Sequence, residues 1–284
     1  MTDRKRGFML LIIASVLWST GGMLLKLVTW NGFAVGGFRS LVSAVFISFF
    51  AKGINLKFTK WRVIGMIAYA STVILFAVAN KMTTAANAIM LQYTAPVYAA
   101  IFGAKILGEK LRKRDILSIV VVLSGMVLFA AEGLQGGHLF GDALAILSGV
   151  TFAMVAVALK VEKDVDPVQN IFWGNVLAFA ISAPFMRNIS LTFYNISGVI
   201  LLGVFQLGAA YVLYAKGMRY VTALEGSIIP MFEPILNPVW VFLTIGETPG
   251  RLAVLGGAVI IFGIFMREII DFTQKRIIKK IPSS

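Results

Sequence analysis

Runs of about 18 to 20 apolar residues recur along this chain, and that is the length a helix needs to cross a bilayer. Ten can be marked, at 8–28, 33–51, 63–80, 84–104, 116–131, 140–159, 168–186, 196–215, 222–244 and 250–266. Ten helices of about 20 residues use most of the 284 positions. The remainder makes short loops, so the expected fold is an all-α integral membrane protein of ten transmembrane helices without a soluble domain. The chain is 58% hydrophobic and 14% charged, whereas a soluble domain is nearer half apolar and a quarter charged. A membrane β-barrel would alternate apolar and polar residues, but "AVFISFF" (44–50) and "ILSIVVVLSGMVLF" (116–129) are apolar on both faces. The first run, from Gly7 to Val28, is too long for a signal-peptide core and carries no cleavage pattern.

A formal net charge of +13 raises the question of nucleic acid, and the placement of the charge answers it. With the N-terminus inside, twenty-one Lys and Arg fall in the cytoplasmic segments and three (Lys81, Arg187, Arg251) in the outer ones. That bias is the positive-inside pattern. It predicts cytoplasmic N- and C-termini, with the basic excess facing anionic lipid and no nucleic-acid partner. The chain has no cysteine, which excludes disulfides, thiolate metal sites and cysteine nucleophiles. The one histidine, His138 in "EGLQGGHLFGD", has no cluster of ligands around it, so no metal or cofactor is expected.

The chain also repeats itself. "GFMLLIIASVLWSTGGMLLK" (7–26) lies over "GDALAILSGVTFAMVAVALK" (141–160), matching Gly7, Leu10, Leu25 and Lys26 to Gly141, Leu144, Leu159 and Lys160. Further on, residues 82–110 lie over 220–248, matching Thr84, Ala85, Pro96, Gly108 and Glu109 to Thr222, Ala223, Pro234, Gly246 and Glu247. The expected units are 1–135 and 136–284, with five spans each. An odd number of spans inverts one unit relative to the other, the architecture of secondary transporters with a site at the repeat interface. There is no G-x-x-x-x-G-K-[ST] loop for ATP, so uphill transport would need an ion gradient or exchange.

"APVYAAIFGAKILGEKL" (95–111) and "EPILNPVWVFLTIGETP" (233–249) resemble the paired Pro-to-Gly-Glu signatures of the drug/metabolite transporter superfamily, EamA-type. "ASVLWSTGGMLLK" (14–26) resembles that family's first helix. The resemblance implies a ten-helix inverted-repeat fold in a bacterial or archaeal plasma membrane. It implies a carrier of small metabolites, often an exporter of amino acids or related compounds. The second Gly-Glu is followed by "TPGR" where the first is followed by "KLRKRD". Inversion accounts for this, since it puts Glu109 inside and Glu247 outside.

Glu233 carries the sharpest chemical argument. A carboxylate at mid-membrane costs about 2.5 kcal/mol or more, and it survives by facing a wet cavity, pairing with a cation or holding a proton. Pro230, Pro234 and Pro238 each lack an N–H and free the carbonyl four residues back, which predicts a kinked helix with carbonyls beside the carboxyl. Such backbone is tolerated at membrane depth where it lines a cavity or is buried in protein. Glu233 is thus a substrate-binding and proton-coupling candidate, or else a structural tie between the halves. Glu225, eight residues earlier on the same expected face, is a second proton-coupling candidate or a solvated vestibule residue.

The repeat sets Asn87 against Glu225 and Ala95 against Glu233, so a site between the halves would be asymmetric. Asn87 and Tyr98 share a face of the fourth span with Thr94, while Gln92 and Tyr93 are expected to point elsewhere. Arg39, early in the second span, is expected to snorkel to the outer headgroups or to meet a substrate carboxylate or Glu233. Trp173, Tyr211 and Tyr214, with Tyr69 and Trp18, are candidate cavity walls able to stack on a ligand or to make cation–π contacts.

The expected function is transport of a small polar metabolite such as an amino acid, as exporter or exchanger, with proton coupling or exchange and with the two units rocking about a central site. The alternative is export of lipophilic or organic cations with Glu233 as counter-charge. An integral-membrane enzyme would want clustered His, Asp or Glu near one interface, and the sequence has no such cluster.

Overall fold

The computed structural model describes residues 3–51, 53–83, 85–131, 139–162, 166–187, 189–236, 240 and 251–278. Every regular element among them is helical. Among the described residues four helical stretches are long and apolar enough to cross a membrane: Asp3–Leu27, Lys60–Met82, Leu139–Val161 and Phe193–Met218. The other apolar runs form shorter or interrupted helices or, at the end, the apolar first half of the long helix Arg251–Ile278. The described residues therefore support a multi-pass helical protein with fewer uninterrupted apolar spans among them than the ten runs suggested.

In order, the first unit contains α1 (Asp3–Trp18), α2 (Gly21–Leu27), α3 (Gly32–Ser48), α4 (Lys60–Met82), α5 (Ala85–Gln92), α6 (Ala95–Leu107) and α7 (Lys113–Ala130). The second contains α8 (Leu139–Val161), α9 (Pro167–Ser182), α10 (Phe193–Leu201), a π-helical segment Leu202–Ala209, α11 (Ala210–Met218), α12 (Ala223–Ile228), a 3-10 turn Ile229–Met231 and a last helix Arg251–Ile278. Side chains that satisfy the first free N–H groups mark several starts. Asn31 accepts from Ala34 N, Thr59 from Arg62 N and Asp166 from Val168 N. Thr222 and Glu225 form a reciprocal capping box at α12, which satisfies two donors at once. Gly108, with φ 66°, closes α6 in the left-handed region that a residue with a Cβ enters at a cost. His138, Glu247, Pro238 and the basic tail from residue 279 lie outside the described residues.

The heaviest helix packing runs between the two units. α4 packs on α8 and α9, α3 on α9 and the π segment, α1 on α11, α6 on α8, and α7 on the last helix. Outward faces stay apolar, with Phe49, Leu139, Phe193 and Tyr194 almost fully exposed, as a lipid-facing surface requires. Small residues allow the close approaches. A Cβ on Gly149 of α8 would lie 2.5 Å from the Gln92 carbonyl oxygen, and one on Gly203 would lie 2.8 Å from that of Arg39.

The units also share an end device. Lys26 Nζ donates to the Thr83 carbonyl at 3.2 Å, and its repeat counterpart Lys160 donates to the carbonyl of Val221, the counterpart of Thr83. Each lysine serves a carbonyl in the short link before the next helix, Thr83 before α5 and Val221 before α12. Asn195, in the first turn of α10, is structural too, with a buried carboxamide bonded to Thr29 and Ser190.

Packing at Gly149 makes a prediction. Gly149→Val is expected to lower thermal stability by about 1–3 kcal/mol, because the obstructing atom is backbone. Gly36→Ala, whose Cβ would meet its nearest atom at 3.5 Å, is expected to be neutral or slightly stabilising. Thermal unfolding of the detergent-purified variants checks the pair, and equal melting of both against wild type would sink the packing argument.

Candidate functional site

Where the units meet, a cavity of about 30 Å³ is lined from both: Trp18, Arg39 and Tyr93 from the first, and Gln206, Tyr211 and Glu233 from the second, with Thr72, Phe76, Gln92 and Phe152 completing the walls. That volume holds a water or two, so anything larger fits only if the walls move apart.

Breaks in three helices deliver the polar groups. Pro96 at the start of α6 interrupts the fourth apolar run, leaving Tyr93 and Thr94 as a turn between α5 and α6. That turn rotates Gln92 and Tyr93 toward the second unit. Pro230 and Pro234 replace one helical turn by the 3-10 segment Ile229–Met231, after which helix resumes at Phe232. The π-helical segment carries Gln206 and Leu207 into the cavity wall, and such bulges re-aim side chains that a regular helix would turn away.

Glu233 is 6% exposed. Its Oε2 lies 2.6 Å from the Tyr93 hydroxyl, which lies 2.8 Å from the Pro230 carbonyl oxygen. Arg39 is 1% exposed. Its Nη1 donates to Gln206 Oε1 at 3.1 Å and its Nη2 to the Val73 carbonyl at 2.8 Å, while Nε has no hydrogen-bond partner. Among the described residues no ion pair joins Arg39 to Glu233 or to any other carboxylate.

Snorkelling was the first expectation for Arg39, and the structure corrects it. α3 presents Gly36, Gly37, Ser40, Ser43 and Ala44 around Arg39, and these small side chains let neighbouring helices enclose the guanidinium. The cavity therefore contains one buried cation and one buried carboxyl, held apart by protein partners. Charges in such a setting are costly unless compensated.

The other sequence candidates are distributed. Tyr211 lines the cavity, with its ring 4.8 Å from Trp18 and 4.7 Å from Tyr69. Tyr214 is fully buried behind it, 6.0 Å ring to ring, and its hydroxyl has no hydrogen-bond partner. Trp173 lies away from the cavity: its Nε1 donates to the Asn55 carbonyl at 3.2 Å and its ring packs on Phe58. Tyr98 on α6 is half-buried and is not among the lining residues. Asn87 is on α5, but its side chain lies outside the described residues.

Glu225 is not a solvated vestibule group. It is 5% exposed, accepts from Thr222 N at 2.6 Å and takes Arg4 in a 2.5 Å ion pair. It sits at a separate basic pocket of about 640 Å³ that includes Lys110, Arg112 and Lys160.

Gln92, Tyr93 and Gln206 are the residues sequence reasoning missed. An unbroken helix would aim the first two elsewhere, and Pro96 is the residue that signals the break. Gln206 stands polar inside the otherwise apolar "VFQLG" (204–208), and that isolation is its signal.

A sequence profile described as the EamA-like transporter family matches residues 5–131 and again 139–267. An uncharacterized transporter of Archaeoglobus fulgidus is 28% identical over 199 residues, covering 69% of this chain and 71% of the relative. An uncharacterized transporter of Clostridium kluyveri is 25% identical over 300 residues, covering 96% and 94%. A solved crystal structure of a protein superposes with a TM-score of 0.80 at 19% identity, covering 93% of this chain and 96% of the other. That likeness concerns the fold.

Glu225 gives a prediction of its own. Glu225→Ala removes a helix cap and is expected to lower stability by about 1–2 kcal/mol, read as an earlier thermal transition. Unfolding at the wild-type temperature would show that the cap and the Arg4 contact carry no weight.

Proposed function

The chain belongs to the EamA-like transporter family, and from that premise we propose that it is a secondary transporter of a small zwitterionic metabolite, an amino acid or a close relative. The supporting observation is the cavity in which Arg39 and Glu233 stand on opposite units without pairing. A carboxylate-bearing substrate would complete the guanidinium, whose Nε has no other partner, and an ammonium group would complete Glu233. Tyr211 and Trp18 would form the wall against the rest of the substrate. Burial of both charges makes recognition strict, because a ligand lacking either group leaves a desolvated partner behind.

Five spans in each unit, in opposite orientations, would let the units rock and expose the cavity to either side in turn. The positive-inside pattern supports cytoplasmic termini, the archaeal and bacterial relatives support a plasma membrane, and transport would run by export or exchange. Glu233 is the candidate for proton coupling. Glu225 is set aside for that role because Arg4 and the cap of α12 engage its carboxylate. Trp173, Tyr98 and Tyr214 drop to supporting positions, and Asn87 keeps its candidacy on sequence grounds alone. Export of organic cations remains a second reading for Glu233, but Arg39 weighs against it, since a cationic cargo would share a small cavity with a buried guanidinium.

Counterflow of a labelled amino-acid panel in proteoliposomes tests the proposal. At least one amino acid is expected to exchange. Arg39→Gln is expected to weaken it by about ten- to a hundredfold, the loss of one charge-assisted contact of about 1.5–3 kcal/mol. Glu233→Gln is expected to abolish concentrative or pH-dependent flux. Exchange of permeant organic cations without any amino acid would overturn the zwitterion reading. Unchanged flux in both variants would move the site elsewhere.

A further inference from the structure

Three oxygens stand in a row at the edge of the cavity: Glu233 Oε2, the Tyr93 hydroxyl and the Pro230 carbonyl, at successive spacings of 2.6 and 2.8 Å. Tyr93 is 3% exposed, so its contacts are made with protein. In a regular helix the Pro230 carbonyl would accept from the N–H of residue 234, but that residue is Pro234 and has none. Phe232 N–H is shared between the carbonyls of Ile229 and Pro230 within the 3-10 turn. The Tyr93 hydroxyl therefore stands in for the donor the proline deleted.

A phenol has one proton to give. With Glu233 ionised, Tyr93 donates to the carboxylate, because charge-assisted bonds are the stronger kind. Its 2.8 Å contact with the Pro230 carbonyl then becomes a meeting of two acceptors. With Glu233 protonated, the acid donates to the phenolic oxygen and the phenol donates onward to the carbonyl. Both spacings are then hydrogen bonds of ordinary length. Without a ligand, the arrangement is complete only when Glu233 carries a proton.

We propose that Glu233, Tyr93 and the Pro230 carbonyl form a proton-binding site that also latches the helix break: release of the Glu233 proton draws Tyr93 off the carbonyl and frees the 3-10 turn Ile229–Met231. The inference rests on Glu233 being the proton-coupling group and adds Tyr93 as the positioning residue through which its protonation reaches the backbone. The charged or titratable side chains facing Glu233 in the cavity are Arg39 from α3, Tyr93 from the α5–α6 turn and Tyr211 from α11, with Tyr214 behind Tyr211. α1, α4, α8 and the π segment contribute Trp18, Thr72, Val73, Phe76, Phe152, Gln206 and Leu207, none of which titrates. Arginine stays charged and phenols stay neutral around neutral pH, so the charge that changes is that of Glu233. The latch ties the two units together, because Tyr93 belongs to the first and the turn to the second.

The test needs no substrate. Infrared difference spectroscopy reads the protonated-carboxyl stretch, and hydrogen exchange of peptides covering 224–236, corrected for the intrinsic pH dependence, reads the latch. In wild type the carboxyl band is expected to vanish on alkaline titration, with exchange in 224–236 accelerating over the same interval by on the order of fivefold or more. Glu233→Gln, whose amide donates to Tyr93 as the acid does, should lack the band and keep the segment protected at every pH. Tyr93→Phe should retain a titrating band but leave the segment fast-exchanging throughout. A band that survives in Glu233→Gln, wild-type exchange that ignores the titration, or a Tyr93→Phe profile like that of wild type would each overturn the latch. Amino-acid counterflow is measured separately, so a failed latch leaves the transport reading standing, and an intact latch without counterflow counts against that reading alone.

Discussion

Backbone in oil has no water to turn to, and that requirement governs this protein more than any other. Regular helix meets it automatically. Each interruption leaves a carbonyl or N–H that some side chain must serve, and here most of those side chains are named. Lys26 and Lys160 serve matching carbonyls, those of Thr83 and Val221, in the links between helices of the two units. Glu109 of the first unit accepts from the first N–H of α12 in the second. Tyr93 of the first unit meets the carbonyl uncovered by Pro234 in the second. The last two repairs cross between units, so the breaks that shape the cavity add to the helix packing that holds the units against each other.

This explains why the cavity sits beside broken helices. A regular helix turns its polar backbone inward on itself and leaves a site only side chains to work with. The turn at Tyr93 and Thr94, the π segment and the 3-10 turn each change the direction of a side chain by an amount a continuous helix forbids. Gln92, Tyr93, Gln206 and Glu233 reach one small space for that reason. Arg39 reaches it differently, from an unbroken helix whose small neighbours permit deep enclosure. The result is a cation and a carboxyl in one low-dielectric pocket, each bonded to neutral groups.

The two halves were visible in the residues, and so was the inequality between them. Pro96 has its counterpart in Pro234, while Glu233 faces Ala95 in the repeat. In three dimensions the polar answer to Glu233 comes from Tyr93, two residues before that alanine, because Pro96 breaks the helix there and redirects the chain. The shared prolines place both breaks, and the unshared side chains give each break its chemistry. Glu225 illustrates the opposite outcome. Its spacing from Glu233 suggested one continuous acidic face, but the 3-10 turn intervenes, and Glu225 ends as a cap paired with Arg4.

Apolar run length, charge placement and internal repetition are properties of residues taken in order, and they sufficed for a helical membrane protein of two related units with Glu233 as its most unusual residue. Which side chains share a cavity is a property of helix rotation and unit contact. Rotation changes at every break by an amount the local sequence does not state, and contact depends on pairs such as Gly149 against Gln92 that lie far apart in the chain. Only the tertiary structure therefore withdrew Arg39 from the headgroups, moved Trp173 out of the site and brought Tyr93 between Glu233 and Pro230.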